Sequence, residues 1–215
     1  MLNHCVIKFA VKIASVVLLK KVNGIDNVPK TGGYILAANH SSYMDIPAMY
    51  IVFLDKKNTY IRFIAKKSLL KDSFFKTFAA LFETERNKVI LLDEKNIEKT
   101  FKEATKALKK GEVVGIYPEG TRSPTGKIQE GKTGVARLAL AAKVPVLPIG
   151  INGTFELMPK GQSKIKLKKI ITLNIGKPIY LDKYNIKEIN NKSLKKATRL
   201  IMRRIAGLIG QKYNY

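Results

Sequence analysis

Apolar residues fall along this chain in short unbroken runs separated by longer stretches of mixed polarity. Tyr34–Ala38, Tyr60–Ala65, Glu112–Tyr117 and Val144–Ile149 are too short for helices and too continuous for half-exposed strands, which predicts strands buried on both faces. Between them, Ile46–Leu54 is apolar and long enough for a helix. Residues 93–110 carry Ile97, Phe101, Ala104, Thr105 and Leu108 at helical spacing, and Gly111 stands where a helix would be capped. A further helix is expected over residues 132–143. A last one, over 192–209, sets Leu194, Leu200, Ile201, Ile205 and Leu208 against Lys195, Lys196, Arg199, Arg203 and Arg204. Residues 164–175 alternate (Ile165 and Leu167, then Ile171, Leu173 and Ile175), which predicts a half-exposed strand. Two more apolar runs, Phe74–Phe82 and Val89–Leu92, flank Arg86. Strands alternating with helices predict an α/β fold: one domain with a mixed, largely parallel sheet covered by helices.

The first 22 residues stand apart. Their longest uncharged run, Ile13–Leu19, is far shorter than the ~20 residues that cross a bilayer. Lys8 and Lys12 interrupt the apolar region where a signal peptide would be uniform. His4, Lys8, Lys12 and Ser15 make one polar stripe, and Leu2, Val6, Phe9, Ile13, Val16 and Val17 cover the rest of a helix over residues 2–21. That pattern fits an amphipathic helix lying in a membrane interface, and it also fits a helix packed on the core with two solvated lysines. The turn-rich stretch Asn23–Gly33 then separates residues 1–22, the interface helix, from residues 23–215, the α/β domain.

Charge sharpens the question of partners. Forty Lys and Arg against sixteen Asp and Glu leave +24, which calls for an anionic partner unless it reflects an AT-rich genome. A compact nucleic-acid motif with aromatic stacking positions is missing, so nucleic acid is set aside. Cys5, the single cysteine, rules out an internal disulfide.

Two stretches carry candidate chemistry, both at the carboxyl ends of expected strands, where open α/β sheets hold their ligands. In Asn39-His40-Ser41-Ser42-Tyr43-Met44-Asp45, five positions along one helix would turn His40 and Asp45 about 140° apart. If the helix instead begins at Ser42 or Asp45, His40 lies in the loop before it and the carboxylate can fold back onto the imidazole. Pro47 in the first turns suits that start. The result is a His–Asp dyad, or else a histidine with a structural task. In Glu119-Gly120-Thr121-Arg122, glycine allows close backbone approach and arginine grips a phosphate through paired N–H groups. The competing reading is a turn in which Arg122 and Glu119 pair with each other.

These residues together resemble the glycerolipid acyltransferase family, in particular its bacterial 1-acylglycerol-3-phosphate acyltransferases. The family pattern N-H-x-x-x-x-D is met by Asn39, His40 and Asp45. The pattern F-P-E-G-T-R is met by Pro118–Arg122 with Tyr117 in place of phenylalanine, and V-P-[IV]-[IVL]-P by Val144–Pro148. Of G-x-x-F-I-x-R only Arg86 is kept, with Ala80, Glu83 and Thr84 at the other positions. The resemblance covers roughly residues 20 to 180. It implies transfer of a fatty acyl group from an acyl carrier protein or coenzyme A thioester to the free hydroxyl of lysophosphatidic acid, giving phosphatidic acid. His40 would act as general base oriented by Asp45, and Arg86, Glu119, Gly120, Thr121 and Arg122 would bind the acceptor. No metal and no cofactor is implied. The expected setting is the cytoplasmic face of the cell membrane, peripheral or monotopic, on an anionic surface. A relative acting on glycerol 3-phosphate or a lysophospholipid would keep the same motifs, and a non-catalytic basic membrane-binding protein is the reading from another class.

Overall fold

A computed structural model describes residues 4–57, 59–68, 89–162, 164–184 and 189–215. Arg86 and the apolar run Phe74–Phe82 lie outside the described residues. Among the described residues seven strands form one sheet: β1 (Leu19–Asn23), β2 (Tyr34–Ala38), β3 (Ile61–Lys66), β4 (Ile90–Leu92), β5 (Val113–Ile116), β6 (Val146–Asn152) and β7 (Ile171–Ile175). Their order across the sheet is β1-β7-β6-β2-β5-β3-β4. Every described pairing is parallel except β6 with β7. A mixed, largely parallel sheet is therefore what the chain builds, and the central strand β2 is buried at all five positions, as its unbroken apolar run requires.

Helices cover both faces. On one side lie α1 (His4–Leu18) and α2 (Asp45–Lys57), sharing a core with Leu36, Phe63, Leu147 and Leu173. On the other lie α3 (Ile97–Lys109), α4 (Gly134–Ala142) and α6 (Asn191–Leu208), closed over Ile35, Val114 and Val146. A single short turn of helix, α5 (Thr154–Leu157), follows β6. The start of α3 is fixed by Asn96, whose side chain accepts the N–H of Lys99.

Three elements differ from the pattern-based reading. The N-terminal helix does not run to residue 21: it stops at Leu18, and Leu19–Asn23 is an edge strand paired in parallel with β7. Lys20 and Lys21, which read as the end of a helix, are the exposed positions of that edge, where lysine discourages pairing with other chains. The expected strand over residues 164–175 is ordered as β only from Ile171, because β6, its partner on the inner side, ends at Asn152 opposite Thr172. On α3, Ile97 is exposed and Phe101 only half-buried, while Thr100 and Ala107 join Ala104 and Leu108 in the interior.

Helix α1 divides its apolar residues between two environments. Val11 and Leu18 are buried in the core beside α2, whereas Phe9, Ile13, Val16 and Val17 are exposed, Phe9 at 68%. One side of the helix thus packs on the core, and the other leaves apolar side chains uncovered. Among the described residues no helix is long and apolar enough to cross a membrane.

Candidate active site

The carboxyl end of β2 delivers residues 39–45 into a loop before α2. Asn39 fixes its start: its side-chain amide donates to the carbonyl of Ile151 at 2.9 Å and its carbonyl accepts the Ile151 N–H at 2.8 Å. A side chain thus continues the pairing of β2 with β6 for one more step. Asp45, fully buried, is the first residue of α2. One of its oxygens, Oδ2, accepts three hydrogen bonds, from His40 Nδ1 at 2.8 Å, Ser41 N–H at 2.8 Å and Ser42 N–H at 2.9 Å. A carboxylate that only accepts makes Nδ1 the protonated nitrogen of the neutral ring. The lone pair then sits on Nε2, which has no partner among the described residues and belongs to a ring that lines a cavity of about 980 Å³. That is the tautomer a general base needs.

The imidazole is held from below as well. It stacks on Tyr117 with ring centroids 4.1 Å apart, and Tyr117 stacks in turn on Phe63 at 5.8 Å. Space for this pile comes from Gly115, paired in register with Phe63, where an added Cβ would lie 2.6 Å from the Phe63 ring. Gly115→Ala should therefore cost about 1–3 kcal/mol of stability through overpacking. It should also lower kcat more than it raises KM, since the ring stack beneath His40 shifts. Urea unfolding and steady-state kinetics together check this.

The Glu119–Arg122 turn meets the histidine loop from β5. Glu119 is buried, and its Oε1 accepts the backbone N–H of His40 at 2.8 Å. Its Oε2 accepts the backbone N–H and the side-chain amide of Gln129 at 3.0 and 3.1 Å. The carbonyl of His40 accepts the Ser123 N–H at 2.7 Å, so both backbone groups of the histidine are tied to this turn. Glu119, expected among the acceptor-binding residues, is thus placed to position His40. It does not pair with Arg122. Gly120 adopts a left-handed backbone (φ 72°), and the side chain of Lys132 passes so close that a Cβ there would lie 3.2 Å from its Cε. Thr121 is exposed at the cavity rim.

Burial pushes the Glu119 carboxyl up to about 7 from 4.5, against the lowering effect of the N–H groups that point at it. Because the folded form then holds its proton more tightly than the unfolded chain, this group favours folding below pH 4.5, and that contribution is lost as pH rises to 7. The stability of the native chain relative to Glu119→Gln should accordingly fall across that window, by up to roughly 3 kcal/mol. The variant should turn over more slowly at every pH, since its amide nitrogen faces an N–H donor. A difference in unfolding free energy that stays constant with pH would contradict the assignment.

Arg122 lies against the face of Tyr43, its guanidinium carbon 3.4 Å from the ring centroid. Its Nη1 is buried without a hydrogen-bond partner among the described residues. A buried guanidinium nitrogen left unpaired is costly, and an anion entering the cavity would satisfy it. His40, Arg122, Lys66 and Lys132 share that cavity with Ile46, Phe63, Ile97, Phe101, Ile116 and Val135, so one space offers a base, cations and an apolar wall. Tyr43, Lys132, Gln129 and the apolar side of α3 were not legible as site residues. Of these only Lys132 left a trace in sequence, as a cation just before the glycine that opens α4.

A family model described as Acyltransferase matches residues 20–152, more than half of the chain. The chain belongs to the acyltransferase family. This acyltransferase is 29% identical over 162 residues to a 1-acyl-sn-glycerol-3-phosphate acyltransferase of Bacillus subtilis, covering 74% of the chain and 73% of the relative. It is 28% identical over 166 residues to a chloroplastic one of Brassica napus, of which it spans about half, 46%. Among solved structures it is similar to the 1-acyl-sn-glycerophosphate acyltransferase of Thermotoga maritima, with a TM-score of 0.69 and 29% identity over 98% of this chain and 81% of that one.

Proposed function

We propose that this acyltransferase moves a fatty acyl group from a thioester donor to the free hydroxyl of lysophosphatidic acid, forming phosphatidic acid. The observation that carries the reading is one cavity holding both the Nε2 of an Asp45-oriented His40 and the Nη1 of Arg122, each without a partner among the described residues. The acceptor's phosphate pairs with Arg122, which brings its hydroxyl to His40 and spares the entropy of a chance encounter. Nε2 takes the hydroxyl proton as the oxygen bonds to the thioester carbonyl carbon, and Asp45 stabilises the imidazolium that forms. Collapse of the tetrahedral intermediate breaks the carbon–sulfur bond, and the imidazolium returns its proton to the departing thiolate. The apolar wall between Ile97, Phe101 and Val135 suits an acyl chain.

The donor is an acyl carrier protein or coenzyme A thioester, and the enzyme works at the cytoplasmic face of an anionic membrane. The exposed apolar face of α1 and the charge of +24 support that location. Acyl transfer by the purified chain to lysophosphatidic acid, glycerol 3-phosphate and monoacylglycerol, from each donor, tests the reading. The expected order of kcat/KM puts lysophosphatidic acid first and monoacylglycerol, which lacks the phosphate, last. Equal rates on monoacylglycerol would contradict the role of Arg122.

A further inference from the structure

Residues 164–169, Lys-Ile-Lys-Leu-Lys-Lys, form neither helix nor strand and take no part in the sheet. All six are exposed, and Leu167, at 72%, is more exposed than Phe9 on the free face of α1. Leaving Leu167 and Ile165 in water forfeits apolar burial, and the four lysines around them exclude a dry protein core as their partner. Alternating cations and apolar side chains suit the boundary of an anionic bilayer, where lysine stems lie along the acyl region and their ammonium groups meet headgroups.

Topology sets this segment beside both α1 and the site. It leads into β7, whose first residue Ile171 pairs with Leu19, the residue directly after α1. The segment and the last turn of α1, with exposed Val16 and Val17, therefore reach the same corner of the sheet. Because β7 is antiparallel to β6 and starts opposite its end (Thr172 against Asn152), that corner lies at the carboxyl end of β2, where His40 sits. The backbone links them directly. The Lys166 N–H donates to the Leu157 carbonyl at 2.9 Å, and the next carbonyl, of Met158, accepts the Ser42 hydroxyl at 2.7 Å.

We infer that residues 164–169 are a second lipid contact, dipping Leu167 and Ile165 into an anionic bilayer and seating the His40 loop at its surface. The inference rests on the reading of the acceptor as a membrane lipid. The chain contains no tryptophan, so Leu167→Trp and, separately, Val16→Trp each introduce a single reporter at an exposed position. On vesicles of phosphatidylcholine with phosphatidylglycerol, the Leu167→Trp emission should shift to the blue and be quenched by lipids brominated on their acyl chains. Replacing Lys164, Lys166, Lys168 and Lys169 by Gln should weaken vesicle association by at least about tenfold. Circular dichroism verifies that each variant is folded, and turnover of lysophosphatidic acid by the unmodified chain is measured alongside. A Val16→Trp shift without a Leu167→Trp shift overturns the inference while leaving α1 on the membrane, and points the lysines toward an acidic protein. Unshifted emission from both overturns it too. Absent turnover with both emissions shifted would instead sink the proposed function.

Discussion

His40→Ala is expected to lower turnover by at least about 10²–10⁴-fold, the range that a positioned general base supplies. The fold should survive, because the ring lies at a cavity wall while Asn39, Ser123 and Glu119 hold the loop through groups other than the imidazole. Asp45→Asn should come close to the same loss. An amide either keeps its oxygen toward the three donors without the negative charge that stabilises the imidazolium, or turns toward them a nitrogen that repels them and reverses the tautomer of the ring. This variant should also be less stable by about 1–3 kcal/mol, since the backbone N–H groups of Ser41 and Ser42 depend on the same oxygen. Single-turnover kinetics with a urea titration of each variant separate chemistry from folding. A folded His40→Ala chain with native turnover would remove the base from the mechanism.

Arg122→Ala is expected to raise KM for lysophosphatidic acid by roughly 10–100-fold, the loss of one or two charge-assisted hydrogen bonds. KM for the acyl donor should change much less. Arg122→Lys should recover little, because a lysine ammonium can neither lie flat on Tyr43 nor present two parallel N–H groups to a phosphate. Equal increases in both KM values would assign Arg122 to the shape of the turn. The contrast with Glu119 is informative here. Both residues belong to one four-residue motif, yet Glu119 is enclosed by His40 and Gln129, while Arg122 has a buried nitrogen with no partner among the described residues.

What could be read from sequence was what local chain geometry decides. Strand β2 is legible because a run buried on both faces must be apolar at every position. The dyad is legible because a loop followed by a helix-starting aspartate lets residues five apart meet locally, although Ile151, Glu119 and Ser123 hold that loop in place. What pairing across the fold decides was hidden. Strand β1 carries two lysines in five residues and is a strand only because β7, about 150 residues later, supplies its partner. Glu119 meets the backbone N–H of a residue 79 positions away, so its motif announces a site but not this task. Ile97 and Phe101 fit a buried helical stripe as well as Leu108 does, since periodicity cannot distinguish a cavity wall from a core. Helix α1 was equally ambiguous: its pattern does not say which apolar residues pack on the core, as Val11 and Leu18 do, and which stay uncovered, as Phe9 and Val16 do.

The central claim is that one cavity acylates a phosphorylated lipid through an Asp45-oriented His40. Direct detection of phosphatidic acid tests it, with purified chain, acyl thioester and lysophosphatidic acid, beside His40→Ala at matched folding. Phosphatidic acid should accumulate with the native chain, together with one free thiol per acyl group transferred, and should fall to the uncatalysed level with the variant. Thiol release without phosphatidic acid, or phosphatidic acid formed equally by both proteins, would contradict it.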